Sequence, residues 1–207
     1  KEGYKLDITP SRISIQAAGK EGFFYAVQSI RQLLPPAIEN KEPVSNIQWN
    51  VPALNVQDSP RFPYRGLLLD VSRCFIPKEN VIKIIDYMAM LKLNRLNLHL
   101  VDGNGWRLEI KKYPRLTEVG AWRVAREGDF SQRKNAKPSE PTPIGGFYTQ
   151  EDMKEIIAYA NARQVEIIPE IEMPAHTNSS LAAYPELACP IVKDFISVIP
   201  GMGAHAS

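Results

Sequence analysis

The chain has 207 residues, of which 44% are hydrophobic, and its 25 Lys and Arg against 23 Asp and Glu give a formal charge of +2. This composition is typical of a globular chain with a packed core, and the basic residues are not concentrated as nucleic-acid binding requires. No apolar run approaches the roughly 20 residues that span a bilayer, so we expect no membrane span.

The first part of the chain predicts a small α+β domain. Apolar and polar residues alternate in three segments, which predicts strands at residues 4–8, 12–17 and 47–56. From Gly22 the apolar residues recur at helical spacing until Pro35-Pro36 forbids continuation. The segment 58–63, with two prolines, is typical of a stiff linker. We therefore place a domain boundary there, between residues 1–58 and 59–207.

After this boundary, strands and helices alternate. Strands are expected at residues 66–71, 96–101 and 165–172. One helix should begin at Pro77 and the next at Thr149, whose spacing to Asp152 is a capping pattern. This order predicts a parallel sheet with right-handed crossovers, and a (β/α)8 barrel and a doubly wound sheet both fit it. A complete barrel takes about 250 residues, so either architecture would be incomplete here.

Ionisable side chains follow all three of these strands. They are Asp70 after the first strand, His99 and Asp102 after the second, and Glu170, Glu172 and His176 after the third. The carboxyl ends of parallel strands meet at one edge of a sheet, so we expect these groups to form one site.

Three kinds of chemistry could use such a set. Glu170 and Glu172 could form the carboxylate pair of a glycoside hydrolase. Two histidines with two acids could hold a divalent metal, although the spacing matches no HxH or HExxH motif. An Asp could also orient a His that supports an acid elsewhere.

Aromatic residues near Asp102 favour a carbohydrate ligand. Trp106 and Tyr148 lie on or at the edge of a long loop, residues 102–148, whose stretch 128–143 is polar. Loops of this length are usually functional or mobile. We expect Trp106 to contact the sugar by ring stacking, whereas Trp122 is expected to pack the loop against the sheet.

Five segments of the second domain also carry a family resemblance. They are residues 65–73 (RGLLLDVSR), 90–102 (MLKLNRLNLHLVD), 105–107 (GWR), 145–149 (GGFYT) and 169–176 (PEIEMPAH). Together they resemble glycoside hydrolase family 20, the β-N-acetylhexosaminidases. The first sixty residues look like the latter part of the small α+β domain that precedes the barrel in that family. The resemblance thus implies an α/β fold, the first part of a (β/α)8 TIM barrel preceded by a small α+β domain.

The resemblance implies a retaining hydrolase of terminal non-reducing β-linked N-acetylglucosamine or N-acetylgalactosamine, without a cofactor. In this family the substrate's own 2-acetamido oxygen attacks the anomeric carbon. Arg65 matches the arginine that binds the sugar's 3- and 4-hydroxyls, and Asp102 and His176 match the pair that backs the catalytic acid. The expected partners are glycans that end in N-acetylhexosamine.

By resemblance, the catalytic Asp-Glu pair follows the next barrel strand and lies beyond this sequence. Glu170 and Glu172, together with Asp70 and His99, are then supporting residues rather than the catalytic pair. The isolated chain should be inactive, and its open sheet edge should make it unstable or self-associating unless the rest of the barrel or a second copy covers that edge. The alternative is a non-catalytic carbohydrate-binding or interaction fragment.

Several positions depart from the family pattern. Gly103 and Asn104 replace a common Asp and Gln, Glu172 and Ala175 replace a common Asp and Gly, and Cys74 stands where His is frequent. Arg65 raises a geometric problem, because it precedes its strand whereas Asp70 ends it, and five residues of strand span roughly 16 Å. Either that strand is shorter than expected, or Arg65 reaches the sugar along the barrel interior.

Cys74 and Cys189 are too few for a disulfide scaffold, so we expect two unpaired thiols. The chain begins at Lys1 without signal-peptide regions, so such a peptide was either removed or never included. Our expectation for the location is periplasmic or secreted.

Overall fold

A computed structural model of the chain describes residues 1–126, 136–192 and 194–200. Its first part is an antiparallel sheet covered by one helix. The elements are β1 (Tyr4–Thr9), β2 (Arg12–Ala17), α1 (Lys20–Leu33), a 3-10 turn (Pro36–Glu39) and β3 (Leu54–Asp58). The strand order is β2-β1-β3, and alternate β1 residues Tyr4, Leu6 and Ile8 are buried against α1. The strand expected within residues 47–56 is therefore shorter and begins at Leu54.

The second part alternates strands and helices as expected. Its elements are β4 (Gly66–Asp70), α2 (Lys78–Met90), β5 (Arg95–Asp102), β6 (Gly105–Trp106), α3 (Arg115–Glu118), β7 (Trp122–Arg123), β8 (Ile144–Gly145), α4 (Gln150–Ala162), β9 (Glu166–Ile171), α5 (Asn178–Ala183) and a 3-10 turn (Pro185–Leu187). Strand β5 is central and pairs in parallel with both β4 and β9. Residues 127–135 of the expected polar loop lie outside the described residues.

The two faces of β5 have different roles. Leu96, Leu98 and Leu100 are fully buried under α2 and α4, while Asn97 and His99 lie on the opposite face because side chains alternate along a strand. The apolar stripes of both helices complete this core, with Val81, Ile85, Met88, Met153, Ile156 and Ala160. One face of the sheet is thus a hydrophobic core, and the other carries polar groups to the carboxyl edge.

Local signals explain where the second crossover helix begins. The Asp152 N–H donates to Thr149 Oγ1 and the Thr149 N–H donates to the Asp152 carboxylate, both at 3.0 Å, so the expected capping box is present. Cys74 and Cys189 are free, as expected. None of the helices that the structure describes is long and apolar enough to cross a membrane.

Candidate active site

Asp102, the last residue of β5, is the central group at the carboxyl edge, and only 3% of its side chain is exposed. Its Oδ2 lies 3.1 Å from His99 Nε2 and 2.7 Å from Arg73 Nη2. Its Oδ1 accepts a 2.6 Å hydrogen bond from the Gly103 N–H. The Ser179 hydroxyl on α5 donates to the Asp102 carbonyl at 2.7 Å. Contacts on both carboxylate oxygens and on the backbone therefore fix the orientation of this side chain.

His176 lies on the solvent side of the same carboxylate. Its Nδ1 is 3.4 Å from Asp102 Oδ1, and 54% of its side chain is exposed. Its φ of +55° is uncommon for a residue with a Cβ, and such conformations are often found at functional sites. The result is an accessible imidazole backed by a buried acid, which is the arrangement that orients a histidine for proton chemistry.

His99 lies between two carboxylates on the polar face of the sheet. Its Nε2 faces Asp102, and its Nδ1 is 2.6 Å from Glu170 Oε1 on β9. The other Glu170 oxygen accepts a 2.5 Å hydrogen bond from the Asn97 amide. Burial opposes the charged form of His99, but hydrogen bonds to Asp102 and Glu170 outweigh it and raise the pKa of His99. Burial likewise opposes ionisation of Glu170, while the bonds from Asn97 and His99 prevail and lower the pKa of Glu170.

Asp70 positions an arginine that the residue pattern did not single out. Asp70 Oδ1 accepts the N–H groups of Ser72 and Arg73 at 3.1 and 2.9 Å, and its Oδ2 is 2.6 Å from Arg73 Nη1. Because Nη2 of the same guanidinium contacts Asp102, the arginine bridges the ends of β4 and β5. The hydrogen bond to Asp70 raises the pKa of Arg73 further. With 43% of its side chain exposed, Arg73 presents donors to solvent at this edge.

Arg65 lies at the opposite end of the sheet, just before β4 begins. Its guanidinium donates to Glu2 Oε1 at 2.8 Å, to the Tyr25 hydroxyl at 3.1 Å and to the Phe62 carbonyl at 2.9 Å, and its Nε donates to the Lys92 carbonyl at 2.7 Å. The strand has the expected length, so the side chain does not reach the carboxyl edge. These contacts argue against the expectation that Arg65 binds the sugar hydroxyls, because its donors join the small domain to the sheet.

The position of Trp106 also argues against the expectation that its ring stacks on a sugar. Trp106 is 9% exposed, belongs to the hydrophobic core, and donates its indole N–H to the Leu108 carbonyl at 2.6 Å. Tyr148 is buried as well and donates its hydroxyl to the Ile76 carbonyl. Trp122 is partly buried and its indole N–H donates to a carbonyl of α3, as expected for a packing residue.

Glu172 completes the group of acids that the strand ends bring together. Possible ligand atoms of His99, Glu170 and Glu172 lie within 4.8 Å of one another. Among the described residues, this is the group of side chains that could hold a metal ion. However, both ring nitrogens of His99 already face carboxylates, and both Glu170 oxygens accept hydrogen bonds. Because the ring nitrogens and carboxylate oxygens that a metal would need already form hydrogen bonds within the protein, we interpret this cluster as a set of supporting residues.

Arg107 holds together the loops behind the site. Its guanidinium is fully buried and donates to five backbone carbonyls, those of Val71, Ser72, Asn104, Ala121 and Gly146. Burial lowers the pKa of Arg107 to about 10, and the nearby charge of Arg123 acts in the same direction. Arg107 therefore helps to fix the position of the loop after β4, on which Arg73 lies.

Two departures from the family pattern have visible packing roles. Asn104 donates its amide to the carbonyls of Ile199 and Pro200 at 3.0 and 3.3 Å. A Cβ on Gly103 would lie 2.6 Å from Ile199 Cδ1, so the backbone at Gly103 approaches this segment closely. The turn between β5 and β6 is thus docked against residues 199–200.

Four residues that matter here were not singled out from the residue pattern, namely Arg73, Asn97, Arg107 and Ser179. A signal existed for two of them. Arg73 follows Asp70 on the carboxyl side of its strand, where sites form, and Asn97 shares the face of His99 by alternation. Arg107 and Ser179 act through contacts with residues far away in sequence, which no local pattern reveals.

Comparisons with known proteins agree with this geometry. The family model described as "Glycosyl hydrolase family 20, catalytic domain" matches residues 62–202, and the one described as "Glycosyl hydrolase family 20, domain 2" matches residues 1–59. A "Beta-hexosaminidase" of Porphyromonas gingivalis is 46% identical over 189 residues, which cover 91% of this chain and 22% of that protein. Another from Akkermansia muciniphila is 37% identical over 91% of this chain and 34% of that protein.

A solved structure of a mutant Streptomyces plicatus beta-hexosaminidase in complex with product GlcNAc has a TM-score of 0.83 and is 40% identical. The match covers 97% of this chain and 36% of that one. The chain thus spans about a fifth to a third of the length of these relatives. Its fold is a small α+β domain followed by part of a (β/α)8 barrel, which sets the doubly wound alternative aside. The chain belongs to glycosyl hydrolase family 20.

Proposed function

We propose that the protein is a β-N-acetylhexosaminidase that removes terminal non-reducing β-linked N-acetylglucosamine or N-acetylgalactosamine with retention of configuration. The observation that carries this proposal is the pair formed by buried Asp102 and exposed His176, with Nδ1 3.4 Å from Oδ1, beside the exposed guanidinium of Arg73. Family membership and the relatives named beta-hexosaminidase support the reaction class.

In the proposed mechanism the substrate's 2-acetamido oxygen attacks the anomeric carbon while a general acid protonates the leaving oxygen. Asp102 is buried with its Oδ1 facing Nδ1 of His176, so this carboxylate orients the imidazole. His176 in turn contacts the acid, stabilises its charged form after proton transfer and so sets its pKa. We propose that the acid belongs to the next barrel strand of the longer protein, because Glu170 is engaged by His99 and Asn97.

We propose Arg73, in place of Arg65, as the residue that binds the sugar's 3- and 4-hydroxyls. The described residues engage its Nη1 and Nη2 once each, through Asp70 and Asp102. A guanidinium has five N–H donors in a fixed fork, so donors remain for vicinal hydroxyls. The two carboxylates that hold it also keep its charge and direction fixed before a ligand arrives.

Hydrolysis of an aryl N-acetyl-β-glucosaminide by the complete protein tests this function. Asp102→Asn should lower kcat by roughly 100-fold or more, because the neutral amide no longer favours the charged His176 that assists the acid. Asp86→Asn is the matched control, since Asp86 contacts Tyr159 and Arg163 on the helical side. Equal activity of both variants, or no turnover by the unmodified protein, would contradict the proposal.

For the isolated 207-residue chain, we propose an inactive fragment with two open sheet edges. Among the described residues β4 and β9 each pair only with β5, and Leu67 and Leu68 on β4 are exposed. The rest of the barrel, or a second copy, should cover these edges. Size-exclusion chromatography should therefore show self-association of the isolated chain and none of the complete protein. Calorimetric titration with N-acetylglucosamine tests the alternative of a carbohydrate-binding fragment, which requires binding without turnover.

We propose a periplasmic or secreted location, because glycans with terminal N-acetylhexosamine are largely found outside the cytoplasm. Fractionation of producing cells, with the protein detected by an antibody, tests this. Recovery with cytoplasmic markers would contradict it.

A further inference from the structure

We propose that His99 is a positioning residue of this site. As an imidazolium held between Glu170 and Asp102, it fixes the Asp102 carboxylate that orients His176. The structural part of this proposal stands on the contacts of His99, and only its kinetic consequence rests on the proposed function.

The two partners of His99 determine its protonation. Nδ1 is 2.6 Å from Glu170 Oε1 and Nε2 is 3.1 Å from Asp102 Oδ2. Carboxylates can only accept hydrogen bonds, so both ring nitrogens must carry a proton to satisfy both contacts. A neutral ring would place a nitrogen lone pair against one of the carboxylates, and this repulsion would be strong because 6% of the His99 side chain and 3% of the Asp102 side chain are exposed.

The charges around the ring favour the same form. Glu170 faces it from β9, Asp102 from its own strand and Asp70 from β4, while Arg73 contributes the opposing positive charge from the loop after β4. Burial is the largest single effect and acts against the cation, yet the pKa of His99 lies above its ordinary value because the two carboxylate hydrogen bonds and the nearby carboxylate charges together outweigh it. Asn97 strengthens the arrangement, since its amide fixes the second oxygen of Glu170.

The contact of His99 with Asp102 also determines how the Asp102 carboxylate faces His176. His99 and Arg73 both act on Oδ2, which leaves Oδ1 directed toward the Gly103 N–H and His176. Loss of the imidazolium would free the carboxylate to rotate. It would also remove a positive charge that partly compensates Asp102, so His176 would experience a stronger negative potential.

Nuclear magnetic resonance on the complete protein labelled with 15N-histidine tests the structural part. The His99 signals, assigned by their loss in His99→Gln, should show both nitrogens protonated at pH 6.5, with a titration midpoint above the usual value of about 6.5. Glu170→Gln should lower that midpoint, because an amide replaces one carboxylate.

Kinetics on the same variants test the catalytic consequence. In His99→Gln we expect kcat to fall about 10- to 100-fold with KM changed less than about threefold, as for other partners that orient a functional group. Asp86→Asn is again the control, because it also replaces a charged side chain by a neutral amide but lies outside the site, so its kcat should be unchanged.

The outcomes separate this proposal from the proposed function. A neutral His99 in the unmodified protein, or a folded His99→Gln with unchanged kcat, would overturn the positioning role. If the unmodified protein hydrolyses no aryl glycoside, the proposed function fails, while the resonance measurements still decide how His99 holds Asp102.

Discussion

Arg73 Nη2 lies 2.7 Å from Asp102 Oδ2, whereas Arg65, eight residues earlier in the chain, contacts Glu2 at the other end of the sheet. Arg65 directly precedes strand β4 and Arg73 follows it, so the two arginines lie at opposite ends of the strands. Only the carboxyl edge carries the cluster of acids and histidines. This placement favours Arg73 over Arg65 for the ligand contact proposed above, and the contacts of Arg65 join the two domains.

The first prediction compares these two arginines. Arg73→Gln in the complete protein should lower kcat/KM for an aryl N-acetyl-β-glucosaminide by roughly 100-fold, because hydrogen bonds from a charged donor contribute about 1.5–3 kcal/mol each. It should also leave Asp70 and Asp102 without their shared partner. Steady-state kinetics at fixed pH measures the effect.

Arg65→Gln is the matched control for that experiment. It should leave kcat/KM within about threefold of the unmodified protein while lowering the melting temperature, because its partners lie between the two domains. A large kinetic loss in Arg65→Gln together with normal kinetics in Arg73→Gln would contradict the placement described above.

The two arginines also show what the sequence could and could not predict. Alternation and helical spacing predicted the strands around Asp70, Asp102 and Glu170, because local periodicity depends only on neighbouring residues. The same strand length raised the question of how Arg65 could reach the site, and in the structure Arg65 lies at the far end of β4 with its donors on other partners. The contacts of Arg73 with Asp102 and of Ser179 with Asp102 depend on chain packing, so periodicity could not reveal them.

Aromatic residues illustrate the same limit. Trp106 was expected to face a ligand because it follows Asp102 closely in sequence. The short strand β6 turns its ring inward, where it packs with the leucines of β5 and the side chain of Tyr148. Proximity in sequence to a functional carboxylate did not determine which face of the loop the ring occupies.

The second prediction concerns the pH dependence of stability. The pKa of His99 is raised in the folded state, so its contribution is complete below about pH 6.5 and is lost as pH rises through the folded pKa. The pKa of Glu170 is lowered, so its contribution is present above about 4.5 and is lost as pH falls through the folded pKa. When the melting temperature is plotted against pH, His99→Gln should therefore reduce the fall in stability at alkaline pH, and Glu170→Gln should reduce the fall at acidic pH. The reverse assignment would contradict these shifts.

The third prediction concerns the contact between the small domain and the sheet. Lys92 Nζ lies 3.1 Å from Asp58 and 2.8 Å from the Ser29 hydroxyl, and Arg65 binds Glu2. These two cations come from the second domain, and their partners belong to the first. Replacing both cations by Met should uncouple the domains and split one calorimetric unfolding transition into two.

Each of those single substitutions should cost about 1–3 kcal/mol, since the ion pairs are partly exposed and leave acceptors without donors. Lys83→Met on the exposed face of α2 is the control, because Lys83 contacts only Asn80 among the described residues. A single transition at an unchanged temperature in the double variant would contradict this role of the two cations.

The fourth prediction concerns Arg107. Arg107→Met removes the donors of five buried backbone carbonyls, and each carbonyl left unsatisfied costs about 1–3 kcal/mol. Denaturant unfolding should show a loss of at least about 3 kcal/mol, and Arg107→Lys should recover only part of it because a single ammonium cannot reach carbonyls on separate loops. Exposed Arg12→Met should change the free energy of unfolding by less than about 0.5 kcal/mol. Full recovery by Lys would mean that the charge, and not the planar fork of donors, holds the loops behind Arg73.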